Sequence, residues 1–304
     1  MSGDLAMAFV GVSTGQSSIR RVYPAWARIL GLPTERLVGH DVPLGARDEE
    51  YRELVKWLRD DETCAGALVT THKVGVYQAA ADLFDDLDTF ASLCGEISSV
   101  SKRDGRLVGH AKDPLTVGLS LEEIVPQNHF AGTGGHVLCL GTGGAGIALA
   151  WYLAQRADRP ERIVCTARRT KRLDDLRGVM RRGGLDAGRI CPELVDGPAD
   201  RLLKGLPPHS LVVNATGLGK DRPGSPLGDG AAFPERGIAW DFNYRGSLEF
   251  LHQARAQQVE RSLTVVDGWR YFVHGWSQVI AEVFDLSLTP AQVEDLAVAA
   301  EEVR

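Results

Sequence analysis

The sequence predicts an α/β protein of two units, the second a doubly wound, mostly parallel sheet. Three observations carry that reading. Residues 136–170 run as an apolar strand, a glycine turn, an apolar-faced helix and a second strand. Short apolar runs alternate with amphipathic stretches along the rest of the chain. The 304 residues, 44% hydrophobic and 24% charged, are enough for two cores.

Taken in order, residues 5–12 read as a strand, and a polar turn over 13–18 leads into a helix over 19–30 that Gly31 and Pro33 end. A strand near 36–40, a helix over 48–59 and a strand over 66–70 continue the alternation. His72 and Lys73 open a helix, and a further helix is expected through 83–93. Residues 96–102 and 106–109 form a hairpin about Arg103, Asp104 and Gly105. A helix over 115–124 and a polar link over 126–135 lead to the glycine turn. Beyond it come helices over 147–157 and 171–182 and strands over 162–167, 191–195, 211–214 and 238–242. Helices over 248–257, 269–284 and 289–303 close the chain, the last started by Thr289 and Pro290.

Each glycine of the turn has a physical task. Gly141 allows the tight turn, Gly143 lets the backbone approach a pyrophosphate, and Gly146 lets the helix pack closely on the strand. The amides of Gly144 and Ala145, at the helix start, then face phosphate oxygens. The end of the second strand selects the cofactor. A carboxylate there holds the ribose of NAD, whereas Arg suits the 2′-phosphate of NADP. This chain has Arg168, Arg169 and Thr170, and its nearest acids, Asp174 and Asp175, fall on the next helix, so NADP (NADPH) is expected. Asn214 closes the strand over 211–214, Thr216 follows it, and both lie where the cofactor of a doubly wound sheet is held.

Composition excludes other classes. A net charge of -6 argues against a nucleic-acid partner. The five cysteines are an odd, scattered set and read as reduced thiols, not a disulfide or zinc framework. His72 and His110 lack companions at metal-ligand spacing, so no metal site is expected. Residues 5–12 are too short for a signal sequence and no apolar run approaches ~20 residues, so a cytoplasmic enzyme with no membrane partner is expected.

Residues 11–18, 66–73, 95–113, 141–170, 214–219, 241–244 and 267–274 together resemble the shikimate dehydrogenase family, in order and spacing along nearly the whole chain. The resemblance implies an N-terminal α/β substrate-binding unit over 1–112, completed by helices over 270–304, and a Rossmann-type NADP-binding unit over 113–269. It places the active site in the cleft between them. It also implies an oxidoreductase of aromatic amino acid biosynthesis that acts on a small, anionic substrate, as a monomer or homodimer. Lys73 falls on the lysine of the family's Asn-Val-Thr-x-Pro-x-Lys pattern, and Asp113 on the aspartate of its Asn-Thr-Asp-Gly. The chemistry agrees with that pairing, because reducing a ketone builds negative charge on oxygen and calls for a proton donor beside an orienting carboxylate. Ser17 matches the first serine of a Ser-x-Ser-Pro loop that holds the substrate carboxylate. Tyr244 is implied at the substrate and Tyr271 on the nicotinamide side.

The chain also departs from the pattern. Ile19 stands for the second serine and Arg20 for the proline that follows it. Ala67 stands for the Asn of the lysine pattern, Thr71 for its Pro, Ser98 for the Asn of Ala-Val-Asn-Thr, and Gly275 for a substrate-binding Gln. Arg20 and Arg270 could receive an anion in a bidentate fork. The resulting expectation is an NADP-dependent oxidoreductase interconverting a secondary alcohol and a ketone on a shikimate-like acid, through a diverged pocket that includes Ser98. The alternatives are a non-catalytic NADP-binding relative, or one acting on another polyol or a folate-like carrier.

Overall fold

The computed structural model describes residues 5–220 and 222–302. In chain order the strands are β1 (Ala6–Gly11), β2 (Leu37–Asp41), β3 (Cys64–Val69), β4 (Asp86–Leu87), β5 (Ser99–Arg103), β6 (Arg106–His110), β7 (Val137–Leu140), β8 (Ile163–Ala167), β9 (Ile190–Leu194), β10 (Leu211–Asn214), β11 (Ile238–Asp241) and β12 (Thr264–Val266). The helices are α1 (Ile19–Leu30), α2 (Asp48–Asp60), α3 (Lys73–Ala80), α4 (Thr89–Cys94), α5 (Asp113–Ile124) and α6 (His129–Thr133). They continue with α7 (Gly144–Gln155), α8 (Thr170–Arg182), α9 (Asp200–Leu203), α10 (Glu249–Ala256), α11 (Trp269–Val283) and α12 (Pro290–Glu301). The chain divides into two compact units, Met1–Thr116 with Val273–Arg304, and Val117–Phe272.

The first unit holds a six-stranded sheet in the order β2-β1-β3-β5-β6-β4. β1 pairs in parallel with β2 and β3, whereas β5 runs antiparallel to both β3 and β6. One face packs on α2 and α3 through a cluster that includes Val10, Val55, Leu58, Val69, Val76, Ile97 and Val100. The C-terminal helix belongs to this unit, and Trp26 of α1 donates its indole N–H to the Leu296 carbonyl of α12 at 2.8 Å. α12 begins with a reciprocal cap, since Thr289 Oγ1 accepts from the Gln292 amide and Gln292 Oε1 accepts from the Thr289 amide.

The helix expected over 83–93 does not run unbroken. β4 interrupts it by pairing with β6, and α4 starts afresh after Asp88, whose carboxylate accepts from the Ala91 amide at 2.6 Å. Asp88 competes for a cap better than it propagates a helix. Three short elements, α6, α9 and β12, lay below the reach of periodicity, because three to five residues carry too little pattern to be read.

The second unit is a six-stranded, wholly parallel sheet in the order β12-β11-β10-β7-β8-β9. The chain leaves β7 toward β8 on one side and returns to β10 on the other. The gap between the carboxyl ends of β7 and β10 is therefore the topological switch point, where ligands of doubly wound sheets bind. All four residues of β7 and of β10 are buried, as expected for central strands covered on both faces.

Candidate active site

In the first unit β5 lies between β3 and β6 and opposes both, so the carboxyl ends of β3 and β6 share an edge with the start of β5. Three chain segments converge there. β3 leads through residues 70–72 into α3, whose first residue is Lys73, and β6 leads through Ala111 and Lys112 into α5, whose first residue is Asp113. The segment before β5 carries Glu96, Ile97 and Ser98. Backbone bonds hold the three together: Val69 N–H to Ser98 O at 2.9 Å, Ser98 N–H to His110 O at 2.8 Å, and Ile97 N–H to Lys73 O at 3.0 Å.

Residues forty apart in sequence thus meet. Lys73 Nζ donates to Asp113 Oδ1 at 2.5 Å and to Oδ2 at 2.6 Å, with the Asp113 side chain 9% exposed. A carboxylate at the start of α5 is favoured by the helix dipole, while an ammonium at the start of α3 is not. Burial works to lower the Lys73 pKa, but the charges of Asp113 and Glu96 and the hydrogen bond to Asp113 outweigh it and raise the pKa above its ordinary value. Lys73 is therefore an ammonium at neutral pH, ready to donate.

Sequence reasoning missed Glu96. It is 2% exposed, and its Oε1 has no hydrogen-bond partner among the described residues. Burial and the Asp113 charge push its carboxyl up to about 8 against the opposing pull of Lys73. The signal was available: Glu96 is a charged residue entering the buried run over 97–101, where the Ala-Val-Asn-Thr pattern has alanine.

The neighbouring residue His72 is itself held by two hydrogen bonds. Its Nε2–H donates to the Val42 carbonyl at 2.8 Å, so its Nδ1 accepts from the Tyr51 hydroxyl at 2.9 Å. Burial lowers its pKa, which keeps the ring neutral. Among the described residues no group of three or more His, Cys, Asp or Glu side chains could hold a metal ion.

The other expected substrate contacts fare differently. Ser17 sits half-buried after the turn over 14–16, and its hydroxyl has no hydrogen-bond partner among the described residues. Ser98 is buried, and its hydroxyl accepts from the Lys112 amide at 2.7 Å, a bond that sets the backbone ahead of Asp113. Arg20 is exposed, with its guanidinium over Gly39 and its charge acting on Asp41. Arg270 lies in the second unit and is already occupied: Nε and one terminal nitrogen grip the two oxygens of Glu123 at 2.8 and 2.6 Å. An anion at Arg270 would have to displace Glu123. Tyr244, also in the second unit, packs on Trp269 and Phe272 at ring-centroid distances of 5.2 and 4.7 Å.

The glycine turn follows β7. Gly141 has φ +102, and a Cβ there would lie 2.9 Å from the Ala215 carbonyl oxygen. A Cβ on Gly146 would meet the Gly141 oxygen at 2.1 Å, so any larger residue breaks the turn. Gly143 differs, because a Cβ there would meet nothing within 4 Å. Gly143 is the N-cap of α7 and offers no side-chain oxygen, so the first amides of the helix, those of Gly144 and Ala145 among them, have no side-chain cap. Open space in front of uncapped amides accepts a phosphate group.

Arg168, Arg169 and Thr170 follow β8, and all three are exposed. Neither arginine makes an ion pair among the described residues, whereas Asp174 and Asp175 of α8 are engaged by Arg177 and Arg172 at 2.9 and 3.4 Å. The two arginines are thus open to an anion. Asn214 is used within the protein: its amide donates to Leu218 O and to Asp241, and its oxygen accepts from the Thr216 amide and hydroxyl. That net shapes the loop after β10. Tyr271 stacks on Phe242 at 4.5 Å with the rings 19° apart.

No family model matches the chain. It is 32% identical over 189 residues to the shikimate dehydrogenase (NADP(+)) of Lactococcus lactis subsp. cremoris strain MG1363, a match covering 60% of this chain and 63% of that protein. The chain spans 59% to 64% of the length of the first curated relatives it matches. Against the shikimate dehydrogenase (NADP(+)) of Methylobacterium radiotolerans it is 30% identical over 270 residues, 87% of this chain and 86% of that protein. The chain belongs to the shikimate dehydrogenase family. Its fold matches the crystal structure of shikimate 5-dehydrogenase from Thermus thermophilus in complex with NADP(H) and shikimate, with a TM-score of 0.71 at 25% identity over 97% of this chain and 99% of that one.

Membership gives the departures a structural meaning. Thr71, at the family's proline position, has φ +55, which a proline ring cannot adopt. Ile19 and Ala67 are both fully buried, so these two positions feed the core. A Cβ on Gly275 would lie 3.6 Å from Thr116 Cγ2, an ordinary contact that leaves room for a side chain.

Proposed function

We propose that this chain is an NADP-dependent oxidoreductase interconverting a secondary alcohol and a ketone on a small polyhydroxylated acid, with shikimate and 3-dehydroshikimate the leading pair. The observation that carries the reading is the two-pronged hydrogen bond from Lys73 to Asp113 at two helix starts, built from segments remote in sequence. A mostly buried ammonium gripped by a carboxylate suits a proton donor for a developing alkoxide. The relatives' names, shikimate dehydrogenase (NADP(+)), support the same class.

The residues fit NADP. The amides of Gly144 and Ala145 would receive the pyrophosphate over Gly143, and Arg168, Arg169 and Thr170 the 2′-phosphate. The net of Asn214 and Thr216 would hold the loop beside the cofactor, with Tyr271 on its nicotinamide side. When bound, NADPH supplies the hydride. The protein's own part is the proton. Lys73 Nζ gives one to the oxygen of the ketone as it becomes an alkoxide, and Asp113 orients the ammonium, then the new hydroxyl. Ser17 offers its free hydroxyl to the substrate, Tyr244 is a second substrate contact, and Arg20 is the cation for the substrate carboxylate. Ser98 acts through the backbone that places Asp113. Arg270 serves Glu123 first.

The reading carries with it a cytoplasmic enzyme of two units, with a small-molecule substrate and no nucleic-acid partner, in keeping with a net charge of -6. Among the described residues no helix is long and apolar enough to cross a membrane. The experiment is nicotinamide absorbance with purified protein, NADP or NAD, and a panel of shikimate, quinate, aminoshikimate and simple polyols. Turnover of shikimate with NADP is expected. NADPH binding without turnover of any polyol would overturn the substrate class, and no NADPH binding would overturn the whole reading.

A further inference from the structure

A carboxyl group removed from water without a hydrogen-bond partner is costly, and a folded protein keeps one only where something offsets the cost. Glu96 is such a group. It stands between α4, which Gly95 ends at φ +67, and β5, and the Ile97 amide binds the Lys73 carbonyl, so the chain holds it against the start of α3. Its Oε1 has no partner among the described residues. The charges that reach it come from Lys73 at the start of α3 and Asp113 at the start of α5. His110 of β6 faces Asp88 at 3.6 Å and Glu282 at 3.5 Å instead. Packing alone has no use for a carboxyl in this place, between the buried residues Ile97 and Leu93.

We propose that Glu96 is a positioning residue of the Lys73–Asp113 site, and that its charge decides how firmly the ammonium is held and therefore how readily Lys73 releases a proton. The proposal rests on reading Lys73 and Asp113 as the reacting pair. With Glu96 protonated, one ammonium faces one carboxylate, and losing the proton leaves a single buried charge. With Glu96 ionised, two carboxylates share one ammonium. Release of the proton then strands two like charges in a poorly solvated corner, and an anionic substrate meets net repulsion. Burial and the neighbouring Asp113 charge push the carboxyl up to about 8, so the switch falls just above neutral pH.

The sign of the stability effect follows. A carboxyl whose folded-state pKa exceeds its ordinary 4.5 adds no pH-dependent cost while both states are protonated. The cost accumulates as pH rises through 4.5 toward 8 and is constant above that. Glu96→Gln, neutral at every pH, removes it.

Two measurements test the proposal. In the first, kcat/KM for ketone reduction is followed against pH. Wild type should fall above about pH 8 by roughly tenfold per unit, and in Glu96→Gln the fall should begin at least about one unit higher. Profiles of the same shape, scaled by a constant, would assign Glu96 to packing and overturn the proposal. The second needs no turnover. Thermal unfolding of wild type should lose ground to Glu96→Gln between about pH 5 and 8, and in an Asp113→Asn background this divergence should stop growing at a lower pH and reach a smaller total. A divergence that is absent, or of the same span and size in Asp113→Asn, would also overturn it. A shortened divergence with no polyol turned over supports the coupling of Glu96 and condemns the proposed substrate class alone.

Discussion

The glycine turn of the second unit and the Lys73 corner of the first both stand at the carboxyl ends of parallel strands, yet they are made of different material. The turn is backbone: uncapped amides at the start of α7, and glycines whose missing Cβ atoms leave room for a neighbouring carbonyl or an incoming ligand. The corner is side chain: Lys73, Asp113 and Glu96 arrive from three segments and are matched by charge and hydrogen bonding. This backbone site tolerates little change at Gly141 and Gly146, where a single added Cβ collides. A site of side chains admits substitution at one partner so long as another takes its share. The departures from the family pattern follow that division, since Ile19, Ala67, Thr71, Ser98 and Gly275 all lie in the first unit.

The largest expected effect breaks the side-chain half. Lys73→Ala should lower kcat by ~10²–10⁴-fold while NADPH binding, followed by fluorescence titration, stays intact. Equal turnover in the variant would remove Lys73 from the chemistry. The counterpart for the backbone half is Gly146→Ala, whose Cβ would stand 2.1 Å from the Gly141 oxygen. It should abolish measurable NADPH binding and cost about 1–3 kcal/mol in denaturant unfolding. Wild-type affinity there would show that the turn yields more than its geometry implies.

A smaller change sharpens the comparison within the second unit. Arg169→Asp should reduce the NADPH-to-NADH affinity ratio by roughly ten- to a hundredfold, the worth of one charge-assisted hydrogen bond. An unchanged ratio would move 2′-phosphate recognition away from the end of β8. The smallest effect is expected from Arg270→Ala. Because Glu123 already fills the guanidinium fork, the substrate KM should change by less than about threefold. A rise of tenfold or more would restore Arg270 as the substrate anchor.

Much of the second unit was legible in the sequence, because its information is local. Strand, glycine turn, helix and the double arginine lie within 35 consecutive positions, 136–170, and each carries a backbone requirement that composition displays. Lys73 and Asp113 were legible only through the family pattern, since a lone lysine and an aspartate before proline have no pattern of their own. Glu96 passed unnoticed because a charged residue is ordinary on a surface, and only burial makes it informative.

The sequence by itself determined the α/β class, the glycine turn and the cationic end of β8, all consequences of short-range periodicity and backbone freedom. The tertiary structure alone decided which hydroxyls and cations remain free. It engaged Ser98 with the Lys112 amide and Arg270 with Glu123, left Ser17 open, and set Glu96 beside Lys73. Those outcomes depend on which distant segments the sheet order brings to one edge, and β5 running against both β3 and β6 is what brought these together.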